Sequence, residues 1–170
     1  MRLFFVFLLA AVSVPGADPI LTAFKTRYET AKLNFVESVA AMPAESLEFK
    51  LTPEQRSFRD WITHTAGMNY NACSAMAGTA PPAHSAGKAM TKPAVDQAIR
   101  DSFDYCDQVI RSLSDARLLR EVTVGNRTIL PVDTMLGYIA NLNAHYGNIV
   151  GYMRVKGVTP PSTARAAHKK

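Results

Sequence analysis

The sequence is poor in the residues and motifs that usually announce a function. Its 170 residues include two cysteines, one tryptophan, nine glycines and four histidines. There is no glycine-rich phosphate loop, no Cys-x-x-Cys pair and no Ser-His-Asp pattern, so nucleotide cradling, thiol exchange and serine hydrolysis have no motif to rest on. Beyond residue 17 no apolar run approaches the roughly 20 residues that cross a bilayer. The net charge of +5 is not gathered on one face, because Lys and Arg are scattered among Asp and Glu. Three of the positive charges, Arg165, Lys169 and Lys170, fall at the C-terminal end. Without a basic face interleaved with aromatics, nucleic acid is not expected as a partner. Internal repeats and low-complexity segments are also missing.

What is present begins at the N-terminus. Met1-Arg2 precedes an apolar stretch from Leu3 to Val12, then helix-breaking Pro15-Gly16 and small residues. This is the layout of a secretory signal with cleavage after Gly16 or Ala17, and it is too short to span a membrane. Residues 1–17 are therefore set aside as a signal peptide, which leaves 18–162 as one domain and 163–170 as a disordered tail. The expected location is secreted or periplasmic, with no membrane attachment after cleavage. Cys73 and Cys106 both lie in the mature part, on the apolar sides of their helices. In an oxidising compartment they can pair, and the alternative is two buried thiols behaving as small hydrophobes.

Four segments carry helical periodicity. The first opens with Asp18-Pro19 as a capping residue and first-turn proline, repeats Leu21, Phe24, Tyr28, Ala31, Phe35, Val39 and Met42, and stops at Pro43. The second runs from about Ser57 to Ala77 on Phe58, Ile62, Ala66, Asn69, Cys73 and Met76. A loop rich in Gly and Pro follows, from Gly78 to Lys92. The third begins near Pro93 and carries the cleanest stripe: Val95, Ile99, Phe103, Cys106, Ile110 and Leu113. An irregular connection from Ser114 to Leu130 contains a candidate hairpin, Val122-Thr-Val124 and Thr128-Ile-Leu130 around Gly125-Asn126. The fourth helix runs from Pro131 to about Lys156, with Gly157 as its stop. Four amphipathic helices of this length specify an all-α four-helix bundle.

On the fourth helix Tyr138, Asn141, His145, Asn148 and Tyr152 follow at steps of three and four, so five hydrogen-bonding groups share one side. On the second, Asp60, His64, Gly67 and Asn71 make a matching line. Gly67 removes bulk beside His64, so a neighbouring helix or a ligand can approach. If the two lines face each other, His64 and His145 converge, and neutral imidazole is the commonest side-chain ligand for first-row divalent ions. The bland reading is a pair of hydrogen-bonded histidines at the edge of a core. His84 lies in the loop and His168 in the tail, where both are expected to be solvated.

Several segments together resemble the DinB-like superfamily of bacterial four-helix-bundle proteins. They are Met42-Pro43, Leu51-Thr-Pro-Glu-Gln-Arg-Ser-Phe58, His64-Thr-Ala-Gly-Met-Asn-Tyr70, Ser102-Phe-Asp-Tyr-Cys-Asp107 and, above all, His145-Tyr-Gly-Asn-Ile-Val-Gly-Tyr-Met-Arg-Val-Lys-Gly-Val-Thr-Pro-Pro-Ser162. The resemblance extends from about Phe24 to Ser162 and is nearest to an exported-looking branch with two cysteines. It implies an up-down-down-up bundle and a divalent metal, such as Zn, Ni, Mn or Fe, held by three histidines. One of these matches His64 and another His145; the remaining one falls on Asn141, a harder and weaker donor than imidazole. Asp60 or water is then the candidate to complete the set, with Tyr138, Asn148 and Tyr152 lining the site.

Two functions follow as expectations. One is an exported metal-dependent hydrolase acting on an unidentified small molecule. The other is a non-catalytic periplasmic stress or ligand-binding bundle without metal, for which homodimerisation through the bundle surface is a further expectation.

Overall fold

The structure, a computed structural model, describes residues 18–168. The expected signal peptide, residues 1–17, lies outside the described residues, as do Lys169 and Lys170. Four long helices carry the fold: α1 (Pro19–Ala41), α2 (Phe58–Ala77), α3 (Lys92–Arg111) and α5 (Pro131–Val155). A one-turn helix α4 (Asp115–Leu118), a hairpin β1 (Val122–Val124) and β2 (Arg127–Ile129), and a terminal helix α6 (Pro161–Ala167) complete it. Among the described residues no helix is long and apolar enough to cross a membrane.

The helix directions follow from contacts at known heights. Near one end of the bundle the α1 backbone meets Asp115, just beyond α3; at the other end Lys92 donates to the carbonyls of Ala40 and Met42. So α1 and α3 run oppositely. Phe24 meets Tyr138 and Phe35 meets Tyr146, so α1 and α5 run together. Asn69 meets Ser102 while Cys73 meets Cys106, which makes α2 parallel to α3. Trp61 meets Tyr152 and Asn69 meets Tyr138, which makes α2 antiparallel to α5. The order is up-down-down-up, with α1 and α2 each packed between α3 and α5.

The stripe residues of every long helix form the core. Phe35, Val39, Phe58, Ile62, Ala66, Ile99, Phe103, Leu142 and Ile149 are all fully buried. Cys73 and Cys106 are joined in a disulfide, with Cα atoms 5.4 Å apart, which resolves the choice between bridge and free thiols. Beside it Tyr138 donates to Asn69 Oδ1 (2.9 Å) and Asn69 Nδ2 donates to Ser102 Oγ (3.0 Å). These groups are buried and mutually satisfied, as a low-dielectric interior requires.

Three local features differ from the sequence expectation. Asp18 does not cap its own helix. Its carboxylate accepts from the backbone of Asp115, while Asp115 accepts from Ile20 and Leu21 at 3.0 and 2.8 Å. The long helix α1 and the one-turn helix α4 thus exchange caps, each placing a carboxylate at the other's positive end. The hairpin is present, but its second strand starts one residue earlier, at Arg127. Gly125 at φ 62° takes the first central position and no other residue there has positive φ, which is the type II′ arrangement.

The third difference is the tail. Pro160-Pro161 does not release the chain, because Pro161 sits in the first turn of α6, where a missing N–H costs nothing. Tyr146 and Ser162 exchange hydrogen bonds of 2.9 and 3.0 Å, and Arg165 pairs with Glu37 and Asn34 of α1. The expected disordered tail from 163 is corrected to a docked helix through Ala167.

Candidate functional site

The first turn of α2 is fixed by a capping box. Asp60 N donates to Ser57 Oγ (3.1 Å) and Ser57 N to Asp60 Oδ2 (3.3 Å). This orients Trp61, whose Nε1 donates to the hydroxyl of Tyr152 at 3.3 Å. Tyr152 in turn is tied to Gln55 and to the Arg56 carbonyl, and the Arg56 guanidinium lies 5.1 Å from the centre of the Trp61 ring. Against this braced indole rests His145, ring centres 5.1 Å apart, and His64 follows at 6.3 Å from Trp61.

His64 and His145 do converge. Their ring centres are 5.2 Å apart and their planes are tilted by 50°. Burial and then the Arg56 charge lower the pKa of His64; burial, the neighbouring His64 and Arg56 lower that of His145. Both imidazoles are therefore neutral near pH 7, the form that carries a free lone pair. Nδ1 of His145 is buried and has no hydrogen-bond partner.

The rest of the expected set is distributed differently. At about 100° per residue, positions 138, 145 and 152 drift by only about 20° per heptad, whereas 141 and 148 lie some 60° further round. The tyrosine edge of the stripe turns inward and the asparagine edge turns outward. Tyr138 is 2 % exposed and belongs to the Asn69 network, so it does not line the site. Tyr152 is fully buried beneath Trp61 and acts through it. Asn141 is exposed one turn before His145, and Asn148 donates back to the Ala144 carbonyl. Asp60 has both oxygens engaged, one in the capping box and one with Arg59 at 3.1 Å, and is corrected from candidate ligand to helix cap.

Among the described residues no three His, Cys, Asp or Glu side chains come together to hold a metal. The site offers two neutral imidazoles. Two imidazoles sharing a tetrahedral ion at Zn–N distances of about 2.0–2.1 Å place their ring centres roughly 5 Å apart, close to what is seen. The donor set therefore fits a cation held by His64 and His145 with neutral oxygen donors from water or the Asn141 amide. It does not reproduce a three-histidine set.

A groove of about 610 Å³ opens beside His64 and runs along α2 toward its C-terminal end. Gly67 forms part of its floor, and a Cβ there would meet His84 at 3.6 Å. The close approach expected at Gly67 is thus made by a loop histidine, which stacks on Tyr70 with ring centres 4.4 Å apart and planes within 11°. The hairpin forms the far wall. It docks where α2 ends at Gly78, whose left-handed φ of 74° brings it against Val122. Sequence reasoning missed Arg56, His84 and Arg127 here; only Arg56, next to the Ser57 cap, had a local signal to find it by.

The fold and the sequence both have relatives. The DinB-like protein YjoA of Bacillus subtilis matches with a TM-score of 0.64 at 14% identity, covering 83% of this chain and 93% of that one. A DinB-like protein of Bacillus cereus matches with a TM-score of 0.66 at 15% identity, covering 84% and 93%. YfiT of Bacillus subtilis, described as a probable metal-dependent hydrolase with an unusual four-helix bundle topology, matches with a TM-score of 0.64 at 12% identity, covering 89% and 95%. No curated protein sequence matches the chain. The DinB superfamily profile matches residues 27–149, so the chain belongs to the DinB superfamily.

Proposed function

We propose that His64 and His145 hold a divalent cation of the zinc, nickel, manganese or iron class, and that the protein is an exported metal-dependent hydrolase of a small molecule. The observation that carries this reading is the convergence of two neutral imidazoles, one with an orphaned buried nitrogen, at the end of an open groove. A cation bound there supplies Lewis acidity toward water and toward the bond to be hydrolysed. The chain's own residues do the positioning. Trp61, held by Tyr152, fixes the ring of His145, and Arg56 disfavours protonation of both histidines. The hydrolase class is supported by likeness of fold to YfiT, which is an analogy. Export is supported by the buried Cys73–Cys106 disulfide, since such bonds persist in oxidising compartments.

Metal analysis of the purified protein tests it. About one ion per chain is expected, retained on desalting and lost in His64→Ala and His145→Ala. Protein that stays metal-free after incubation with zinc, nickel and manganese overturns the reading.

That no third His, Cys, Asp or Glu joins the two imidazoles among the described residues favours a second reading, a non-catalytic bundle that uses the groove to bind a small ligand. In that case His145→Ala changes ligand affinity with no metal-dependent activity to lose.

A further inference from the structure

The hairpin adds little to the fold: none of its residues is buried. What it adds is one wall of the groove, with Val124, Ile129 and Arg127 in the lining. Arg127 pairs with Val124 in the ladder next to the two-residue turn, so the turn fixes where its charge emerges. Among the described residues Arg127 has no acidic partner, and no residue lining the groove is acidic. Facing it across the groove, α2 contributes Met68, Ala72 and Ala75 as apolar surface, with Asn71 as a neutral hydrogen-bonding group. The groove is thus an apolar channel with one uncompensated cation in its wall and an imidazole, His64, at one end. Its volume lies within the range of ordinary small-molecule sites.

We propose that this groove binds an amphipathic carboxylate, its carboxylate paired with Arg127 and its apolar body lying along Met68, Ala72, Ala75, Val124 and Ile129 toward His64. A single guanidinium matches a single carboxylate in charge and in its forked geometry. A phosphate would bring nearly two charges to one cation. The span of α2 from Thr63 to Ala75, about 18 Å of helix, is longer than an extended chain of roughly ten carbons, so a body of that size lies within it. Placing the reacting end at His64 rests on the proposed hydrolase; the binding of the carboxylate does not.

Decanoate, kept below its micelle-forming concentration, is the probe, titrated into metal-free protein by calorimetry and followed by NMR. Binding is expected to shift the backbone signals of Ala72 and Ala75. It should weaken about tenfold or more in Arg127→Gln, the scale of a lost charge-assisted hydrogen bond, and partly recover in Arg127→Lys. Arg127 is exposed, and an unchanged melting temperature in both variants confirms that they fold. Decanol should bind at least tenfold more weakly than decanoate. Decanoate affinity indifferent to Arg127→Gln, or decyl phosphate binding as tightly as decanoate, overturns the proposal. The two readings fail separately: wild-type protein that takes up no metal yet binds decanoate through Arg127 sinks the hydrolase alone, and metal that is bound by the wild type and lost in His64→Ala and His145→Ala, with decanoate indifferent to Arg127→Gln, sinks this inference alone.

Discussion

Two sides of helix α2 have been built for opposite purposes. The side facing α3 carries Asn69 and Cys73, which are fully buried, covalently linked or hydrogen-bonded, and closed to solvent. The side facing α5 and the loop carries His64, Gly67 and Asn71, which are open to a groove, and it looks across to an unsatisfied His145 nitrogen. A buried polar group without a partner costs folding energy, and on the closed side Asn69, Ser102 and the Tyr138 hydroxyl all have one. The open side leaves one such group unpaired, next to a braced aromatic and a second imidazole. The Asn69 network is complete within the fold, whereas the His145 nitrogen is left without a partner in it.

The sharpest way to break the comparison is to damage the closed side alone. Cys73→Ala with Cys106→Ala removes a link between residues 33 apart, and denaturant melts should show a loss of about 3–4 kcal/mol. Metal and ligand binding at the open side should survive in whatever fraction remains folded. Asn69→Ala comes next. It leaves the Tyr138 hydroxyl and Ser102 without their shared partner, and should cost about 2 kcal/mol in the same melts.

Most of the closed side could be read from the sequence, because burial obeys periodicity. The stripe Val95, Ile99, Phe103, Cys106 and Ile110 is the buried face of α3, and Cys73 falls where the helical step puts it opposite Cys106. The open side was only half readable. Spacing brings His64 and His145 together, but it cannot tell the inward edge of a stripe from the outward one, so Tyr138 and Asn141 were put on the same footing. Long-range exchanges also leave no local trace. Asp18 and Asp115 swap caps across 97 residues, and Arg165 reaches back to Glu37, so a segment ending in Pro160-Pro161 reads as a loose end until its partner is placed.

Acid provides a gentler probe of the open side. Both histidines are held below their ordinary pKa of about 6.5, chiefly by burial, so as pH falls through that value the unfolded chain takes up protons before the folded one. Stability contributed by the two neutral imidazoles is complete above about pH 6.5 and declines below it until the folded histidines also titrate. Melts across pH 5–8 should show this decline in the wild type and a flatter curve when both histidines are replaced by Gln.

The smallest expected effect is that of Arg56→Gln. It removes the second cause acting on His64 and the third acting on His145, so both NMR-titrated pKa values should rise toward their ordinary value, with little change in melting temperature. If only His64 moves, the Arg56 charge does not reach His145, and the corner is less compact than described.

The central claim is that the corner between α2 and α5 is a cation site made of two imidazoles and completed by neutral oxygen. Titration of zinc into metal-free protein, with the ring signals of His64 and His145 recorded alongside those of His84 and His168, tests it most directly. One ion per chain should perturb His64 and His145 together and leave His168 unchanged, and Asn141→His should tighten binding at the same stoichiometry. Zinc that leaves the His64 and His145 signals where they are, in the wild type and in Asn141→His alike, would contradict the account.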